Sequence, residues 1–291
     1  MIDSHHHIWR QQDLPWLTGP EQPRIFGEYG AIRRDYLIDE YLKDIADTGI
    51  RKSVYVQANW GVDCALDEAA WVQSVAEESG WPHAIVAYAD FTVEDVEPQL
   101  QRLSQYKQIR GIRQQLHWHQ NPQYCFAKKT DIASNTSYQR NIAKLTAYDW
   151  CFDLQVFPGQ VESAIALARA CPDVQFILQH AGMLEDTSAQ GWEQWCDALQ
   201  LYAECENIHV KLSGLGTFVH RLDISLIEKI VAETVRTFGP QRCLYGSNFP
   251  IEKLWTSYDE LFTALKTVVS GIGEQHVQAI FNDNAERLYR L

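Results

Sequence analysis

The chain has 291 residues, 46% of them hydrophobic and 22% charged, with a formal net charge of -13. That balance supports a large core without staples and argues against disorder. The negative surface repels phosphate backbones, and with no basic run or basic amphipathic segment neither nucleic acid nor an anionic membrane is an expected partner.

Eight short apolar or β-branched runs alternate with helical patterns along the chain. The runs cover 2–8, 52–58, 83–90, 109–116, 150–156, 174–180, 207–214 and 242–248. Such runs suit strands buried on both faces. Between the first two, 35–48 carries Leu37, Tyr41 and Ile45 at helical spacing and stops at Gly49, a residue type suited to the left-handed position after a helix. The segment 67–79 stops in the same way at Gly80. Helical patterns follow at 160–170, 191–204, 224–238 and 258–269, and a last one at 283–289. Pro172 and the Gly239-Pro240 pair end two of them. Eight strand–helix units in one chain of this length predict an α/β fold, a single-domain (β/α)₈ barrel over 1–291. An open doubly wound sheet is the alternative, but no G-x-G-x-x-G follows the first strand. The long loops at 19–30 and 121–137 fall after strands one and four, on the catalytic face of such a barrel.

Chemistry in this fold collects at strand C-termini. Strand one ends Asp3-Ser4-His5-His6-His7-Ile8-Trp9. Alternation puts His5 and His7 on one face, and two imidazoles on one face can hold a divalent metal. Strand six ends at His180 before a small-residue turn, giving a third imidazole at the same mouth. Strand eight ends Gly246-Ser247-Asn248-Phe249-Pro250 and points Asn248 into the mouth, where a simple turn asparagine is the competing reading. Strand seven contributes Lys211 and Ser213, strand two Gln57, and strand five Asp153 and Gln155. Strand four supplies Arg113, whose fork suits a carboxylate, although an ion pair in the barrel wall would use it equally well. His117, Trp118 and His119 follow in its loop. Trp9, Trp16, Trp60 and Trp118 are candidate pocket walls. His5, His7, Arg113, His180, Lys211 and Asn248 are expected to converge at one mouth.

The order Asp3-x-His5-x-His7-x-Trp9, Pro15-Trp16-Leu17, Gly111-Ile112-Arg113, Asp153-Leu154-Gln155-Val156, His180, Lys211-Leu212-Ser213-Gly214 and Gly246-Ser247-x-Phe249-Pro250 resembles the amidohydrolase superfamily. It is most similar to the branch that includes L-fuconolactone hydrolases, with muconolactone-type and pyrone-dicarboxylate lactone hydrolases as near relatives. The resemblance implies a distorted barrel, hydrolysis of small lactones, and His5, His7 and His180 in the reactive centre. Two departures bear on the metal. Asn248 stands where the family has an aspartate that activates water, and an amide is neither a base near neutral pH nor a strong ligand. Asp153 and Gln155 stand where binuclear members have a strand-five histidine. One divalent ion, zinc, held by His5, His7 and His180 is therefore expected rather than two, with a metal-free route as the alternative.

The reading is a hydrolase of a small polar lactone or similar ester. His180, Asn248 and Lys211 are the expected catalytic residues, and Arg113, His117, Gln57, Trp118 and Ser213 the expected substrate contacts. Glu252, two residues after Pro250, is a candidate replacement for the missing carboxylate, and Asn248→Asp is expected to preserve or raise hydrolysis. A decarboxylase of an unsaturated acid and a non-catalytic sugar-acid-binding barrel are the rival readings. The partner is a small molecule, with homo-oligomerisation open. The seven cysteines, odd in number and without a C-x-x-C pair, read as reduced thiols, and no leader precedes Met1, so the expected compartment is the cytoplasm.

Overall fold

The structure, a computed structural model, describes residues 1–291. Its strands are β1 (Ile2–His6), β2 (Lys52–Val56), β3 (Ala84–Ala87), β4 (Ile109–Ile112), β5 (Cys151–Leu154), β6 (Phe176–Leu178), β7 (Ile208–Leu212) and β8 (Cys243–Tyr245). They pair in sequence order, all parallel. Each is followed by a helix on the outside: Ile38–Asp44, Ala65–Ser79, Glu97–Leu103, Thr136–Ala143, Val161–Ala170, Ala189–Ala203, Ile224–Phe238 and Tyr258–Ile272. This is the expected (β/α)₈ barrel, with sequence-derived strands running one to several residues too long at their ends. The helices Glu97–Leu103 and Thr136–Ala143 have no counterpart in the sequence reading. They are short, and Glu97–Leu103 buries only Leu100 and Leu103, too few for a visible period. Gly49 and Gly80 do take left-handed φ of 77° and 78°. All seven cysteines are unpaired. No helix is long and apolar enough to cross a membrane.

Two apolar layers result. The larger lies between strands and helices. The smaller fills the lower barrel with Ile2, Val54, Val56, Val86, Ile177 and Leu244, and Leu288 and Tyr289 of the terminal helix Asn284–Tyr289 pack against it. Above that plug sits a charged layer. Lys211 Nζ donates to Asp153 Oδ2 at 2.6 Å, Tyr289 Oη donates to Asp153 Oδ1 at 3.0 Å, and the ammonium lies 5.2 Å from the Tyr289 ring centroid.

The barrel closes between β1 and the residues after β8. Asn248 N donates to His5 O at 2.7 Å and His7 N to Phe249 O at 2.7 Å. Asp3, fully buried, fastens this seam. Its carboxylate accepts from Ser247 N (2.8 Å), Ser247 Oγ (2.7 Å), His5 N (3.1 Å), Tyr41 Oη (3.0 Å) and Tyr258 Oη (2.9 Å). Burial pushes its carboxyl above the usual range, while the serine, backbone and tyrosine donors pull it back. Asp3→Ala strands these buried donors together, at roughly 1–3 kcal/mol each for those left unsatisfied. It should lower stability by about 3 kcal/mol or more, read as the urea midpoint; an unchanged midpoint would show that the seam holds without Asp3.

Candidate active site

The C-terminal strand ends surround a cavity of about 360 Å³. His7, Gln57, Arg113, His180 and Asn248 line it, with Trp9, Trp16, Trp60, Gln115 and Gln155 among its walls. The expected convergence therefore holds for the imidazoles, Arg113 and Asn248. His5 lies just beneath, its ring centroid 5.1 Å from that of His7 and 4.9 Å from that of His180. His6 points outward, as alternation requires, and stacks on Tyr41 at 3.9 Å.

Two glycines make room for the cluster. A Cβ on Gly246 would lie 2.7 Å from His5 Cβ, and one on Gly214, at φ +60°, would lie 2.5 Å from His180 Nδ1. His180 and Asn248 themselves adopt φ of 53° and 58°. Such backbone is uncommon for non-glycine residues and clusters at functional sites.

Each imidazole is fixed differently. His7 Nδ1 lies 2.7 Å from Val56 O, so that nitrogen carries the proton and Nε2 remains free to accept. His180 Nδ1 lies 3.0 Å from Ser213 Oγ. Neither ring nitrogen of His5 has a partner. All three are held neutral near pH 7. Burial lowers His5, aided by Lys211; it lowers His7 to about 3, aided by Arg113; and it lowers His180, aided by Arg113 and Lys211. Arg113 is itself pushed down to about 10, chiefly by burial, with Asp153 and Glu68 opposing. Its Nη2 donates to Gln57 O at 2.6 Å, Nη1 reaches Gln155 Oε1 at 3.5 Å, and Nε is unpartnered.

The donor set meets the needs of a divalent ion only in part. The free nitrogens of His5 and the accepting nitrogen of His7 are of the right chemistry. However, no group of three His, Cys, Asp or Glu side chains is arranged to hold a metal ion. As they stand, His5, His7 and His180 gather without forming a three-donor site, and Asn248 adds no carboxylate.

Several expected residues stand elsewhere. Lys211 does not line the cavity: its ammonium is committed to Asp153 in the layer below and reaches the site through its field on His5 and His180. His117 lies behind the wall, its ring 5.4 Å from Phe126 and 5.8 Å from Phe157. Trp118 and His119 border a separate cavity of about 280 Å³ beside Glu185. Ser213 holds His180 rather than lining the cavity. The reason is common to His117 and Trp118: the chain leaves the barrel after β4 ends at Ile112, so only Arg113 and Gln115 face inward.

Glu252 is buried directly behind Asn248. Trp255 Nε1 donates to it at 2.9 Å and Thr217 Oγ1 at 3.4 Å, and the Asn248 side chain stands between Glu252 and His7, close enough to bear on the ionisation of both. Burial raises Glu252 to about 7 against the pull of these donors. Arg24, on the loop after β1, also lines the cavity and was missed in the sequence; the only signal was its place in the 19–30 loop.

Residues 2–291 match the sequence profile of the Amidohydrolase family. The chain is 34% identical over 293 residues to an uncharacterized Sinorhizobium fredii protein, y4mH, covering 100% of this chain and 98% of that one. It is 29% identical over 306 residues to an L-fucono-1,5-lactonase of Burkholderia multivorans, covering 100% and 96%. An amidohydrolase of Burkholderia multivorans, solved with bound zinc, superposes with a TM-score of 0.83 at 27% identity, covering 100% and 99%.

Gly214→Ala tests whether the imidazole cluster is held by close backbone approach. The added Cβ must displace His180 and strain the backbone, about 1–3 kcal/mol. Displacement of this kind costs up to about 100-fold in kcat/KM. Steady-state kinetics beside a melting curve checks it; full activity would mean that His180 need not stay where Ser213 holds it.

Proposed function

The chain belongs to the Amidohydrolase family, and from that premise we propose that it hydrolyses a small polar lactone, a sugar-acid or dicarboxylate lactone, to the open hydroxy acid. The observation that carries this reading is the charge pattern of the cavity floor. Three neutral imidazoles sit in a buried field set by Arg113 and Lys211. A field that disfavours imidazolium favours an oxyanion, which ester hydrolysis generates at the carbonyl oxygen. The name of the Burkholderia multivorans lactonase points to the same substrate class.

The residues divide the work as follows. Arg113 and the Gln57 amide, whose Nε2 is unpartnered, donate to the lactone carbonyl and ring oxygens. His180, held at Nδ1 by Ser213, takes the proton of the attacking water at Nε2 as the oxygen adds to the carbonyl carbon. The floor disfavours a lone imidazolium, so the proton reaches His180 only as the oxyanion forms beside it, each charge offsetting the other, while Arg113 stabilises the oxyanion. Collapse of the tetrahedral anion breaks the ring C–O bond, and the proton on His180 passes to the departing ring oxygen. Asn248 is a positioning residue: its amide, set between Glu252 and His7, orients water or substrate. The zinc of the similar structure belongs to that protein. The donors here form no three-ligand set, and the steps above run on this chain's own side chains.

Turnover of a lactone panel, followed by acid release with a pH indicator, tests the reading; release of carbon dioxide instead would replace it with decarboxylation. Arg113→Lys keeps the charge and loses the fork. It should lower kcat/KM by about 10-fold or more, whereas unchanged kinetics with a lowered melting point would make Arg113 structural.

Glu252 sets the expected pH dependence. Ionised above about 7, it attracts the adjacent Asn248 amide; protonated below, it no longer does. kcat/KM should fall on the acid side with a midpoint near 7, and Glu252→Gln should flatten that limb, because His7 at about 3 and its lowered neighbours do not titrate there. The stability term has the opposite direction. A raised carboxyl favours the folded state at low pH and loses that contribution as pH rises through about 7. Glu252→Gln should therefore gain stability relative to the parent between pH 5 and pH 8 on the order of kcal/mol. Asn248→Asp, which places a second carboxyl against Glu252, should move the acid limb upward rather than simply raise activity. A limb that survives Glu252→Gln unchanged would assign it to another group.

A further inference from the structure

The cavity is rich in buried polar side-chain atoms that no protein group satisfies. Arg24 Nε, Gln57 Nε2, Trp60 Nε1 and Arg113 Nε are unpartnered donors, against one unpartnered acceptor, Gln115 Oε1. Buried donors of this kind are costly unless something accepts from them. The charge balance has the same sense. Arg24 and Arg113 are the cations of the lining and Glu68 its one carboxylate. Glu68 Oε1 already accepts from Tyr55 Oη at 2.7 Å and from Ala58 N at 2.5 Å. A protein of net charge -13 thus encloses a positively charged, donor-lined cavity.

Arg24 differs from Arg113 in being uncommitted. The ion pairs nearest in sequence, Arg10 with Asp13 and Arg34 with Glu40, leave it unpaired. Its guanidinium carbon lies 5.7 Å from the Trp16 ring centroid, so an aromatic face supports it without using its donors. The loop that carries it is pinned. Gln123 Nε2 donates to Arg24 O at 3.1 Å, Gly27 N donates to the same oxygen at 3.0 Å, and His220 Nε2 lies 3.1 Å from Ile25 O. The guanidinium is presented by a loop tied to the loops after β4 and β7, not by a loose strap.

We infer that Arg24 binds a carboxylate on the substrate remote from the reacting carbonyl, so that the substrate is a lactone carrying a free carboxyl group and not a neutral aldonolactone. This rests on the lactone-hydrolase reading and narrows it. The carboxylate meets a planar fork backed by the Trp16 ring, a geometry in which arginine exceeds lysine. The imidazoles and Arg113 hold the lactone carbonyl at the strand ends, and the two anchors together set its orientation.

The test uses the γ-lactones of aldonic acids and of the matching aldaric acids, which differ only in a terminal CH₂OH or carboxylate. Wild type should prefer the aldarolactone by kcat/KM. Arg24→Gln should reduce that preference about 10- to 100-fold, mainly through KM, as expected for loss of a charge-assisted bidentate contact. Arg24→Lys should fall between them, which guards against a misfolded glutamine variant. Equal effects on both members of a pair, or a wild type that prefers the neutral lactone, would overturn the inference. Calorimetric binding of the open-chain aldarate separates the two claims. If no lactone turns over but the aldarate binds in an Arg24-dependent manner, the hydrolase reading fails and the carboxylate site stands. If the aldarate binds equally to wild type and Arg24→Gln, or to neither, the carboxylate site fails whatever the turnover.

Discussion

The carboxylate of Asp3 ties together four segments of the chain: the first strand, the turn after the last strand, and the helices Ile38–Asp44 and Tyr258–Ile272 through Tyr41 and Tyr258. Five donors converge on two buried oxygens. Burying a carboxylate is expensive, and only such a shell of donors offsets it. The consequence is functional as well as structural. Asp3 lies two residues before His5, and Ser247, which it holds through both backbone and side chain, directly precedes Asn248. The seam that closes the barrel is therefore also the seam that sets the first imidazole pair against Asn248.

Above that seam the site is an electrostatic device built on absence of bulk. Gly246 and Gly214 let His5 and His180 approach closer than any side chain would allow. Lys211 and Arg113 then act on these rings from below and beside. Lys211 does so from the charged layer with Asp153 and Tyr289, a position that excludes it from the cavity but not from influence. Burial chiefly keeps the histidines neutral; the field adds to that effect and also stabilises a developing anion.

Asn248 acquires its meaning from Glu252. A carboxylate at position 248 would face a second buried carboxyl, and the pair would share a proton. With an amide there, one buried acid remains, poised near 7 and one helical turn away. The acidic function that strand eight lacks at its tip is thus present behind it, at a position that reaches the cavity only through the amide. Glu252 could be suspected from its closeness to Pro250, but its burial and its contact with Asn248 are not sequence properties.

What the sequence determined by itself was periodic and local. Eight buried runs alternating with helical stretches specify a parallel sheet covered on both faces, and eight units in a chain of this length close it into a barrel. Alternation along β1 placed His5 and His7 together and His6 apart, and the terminal positions of His180, Arg113 and Asn248 followed from strand ends. What only the tertiary structure decided was where side chains go once the chain leaves a strand or enters the barrel interior. Lys211 and Ser213 share a face, yet one is drawn down to Asp153 and the other up to His180. His117 and Trp118 follow β4 closely and still point away, and Arg24, in a loop without pattern, enters the cavity because loop anchors and Trp16 place it there. Periodicity fixes which face a residue occupies; depth along the barrel and the path of a loop depend on contacts between segments far apart in the chain, and no local spacing encodes them.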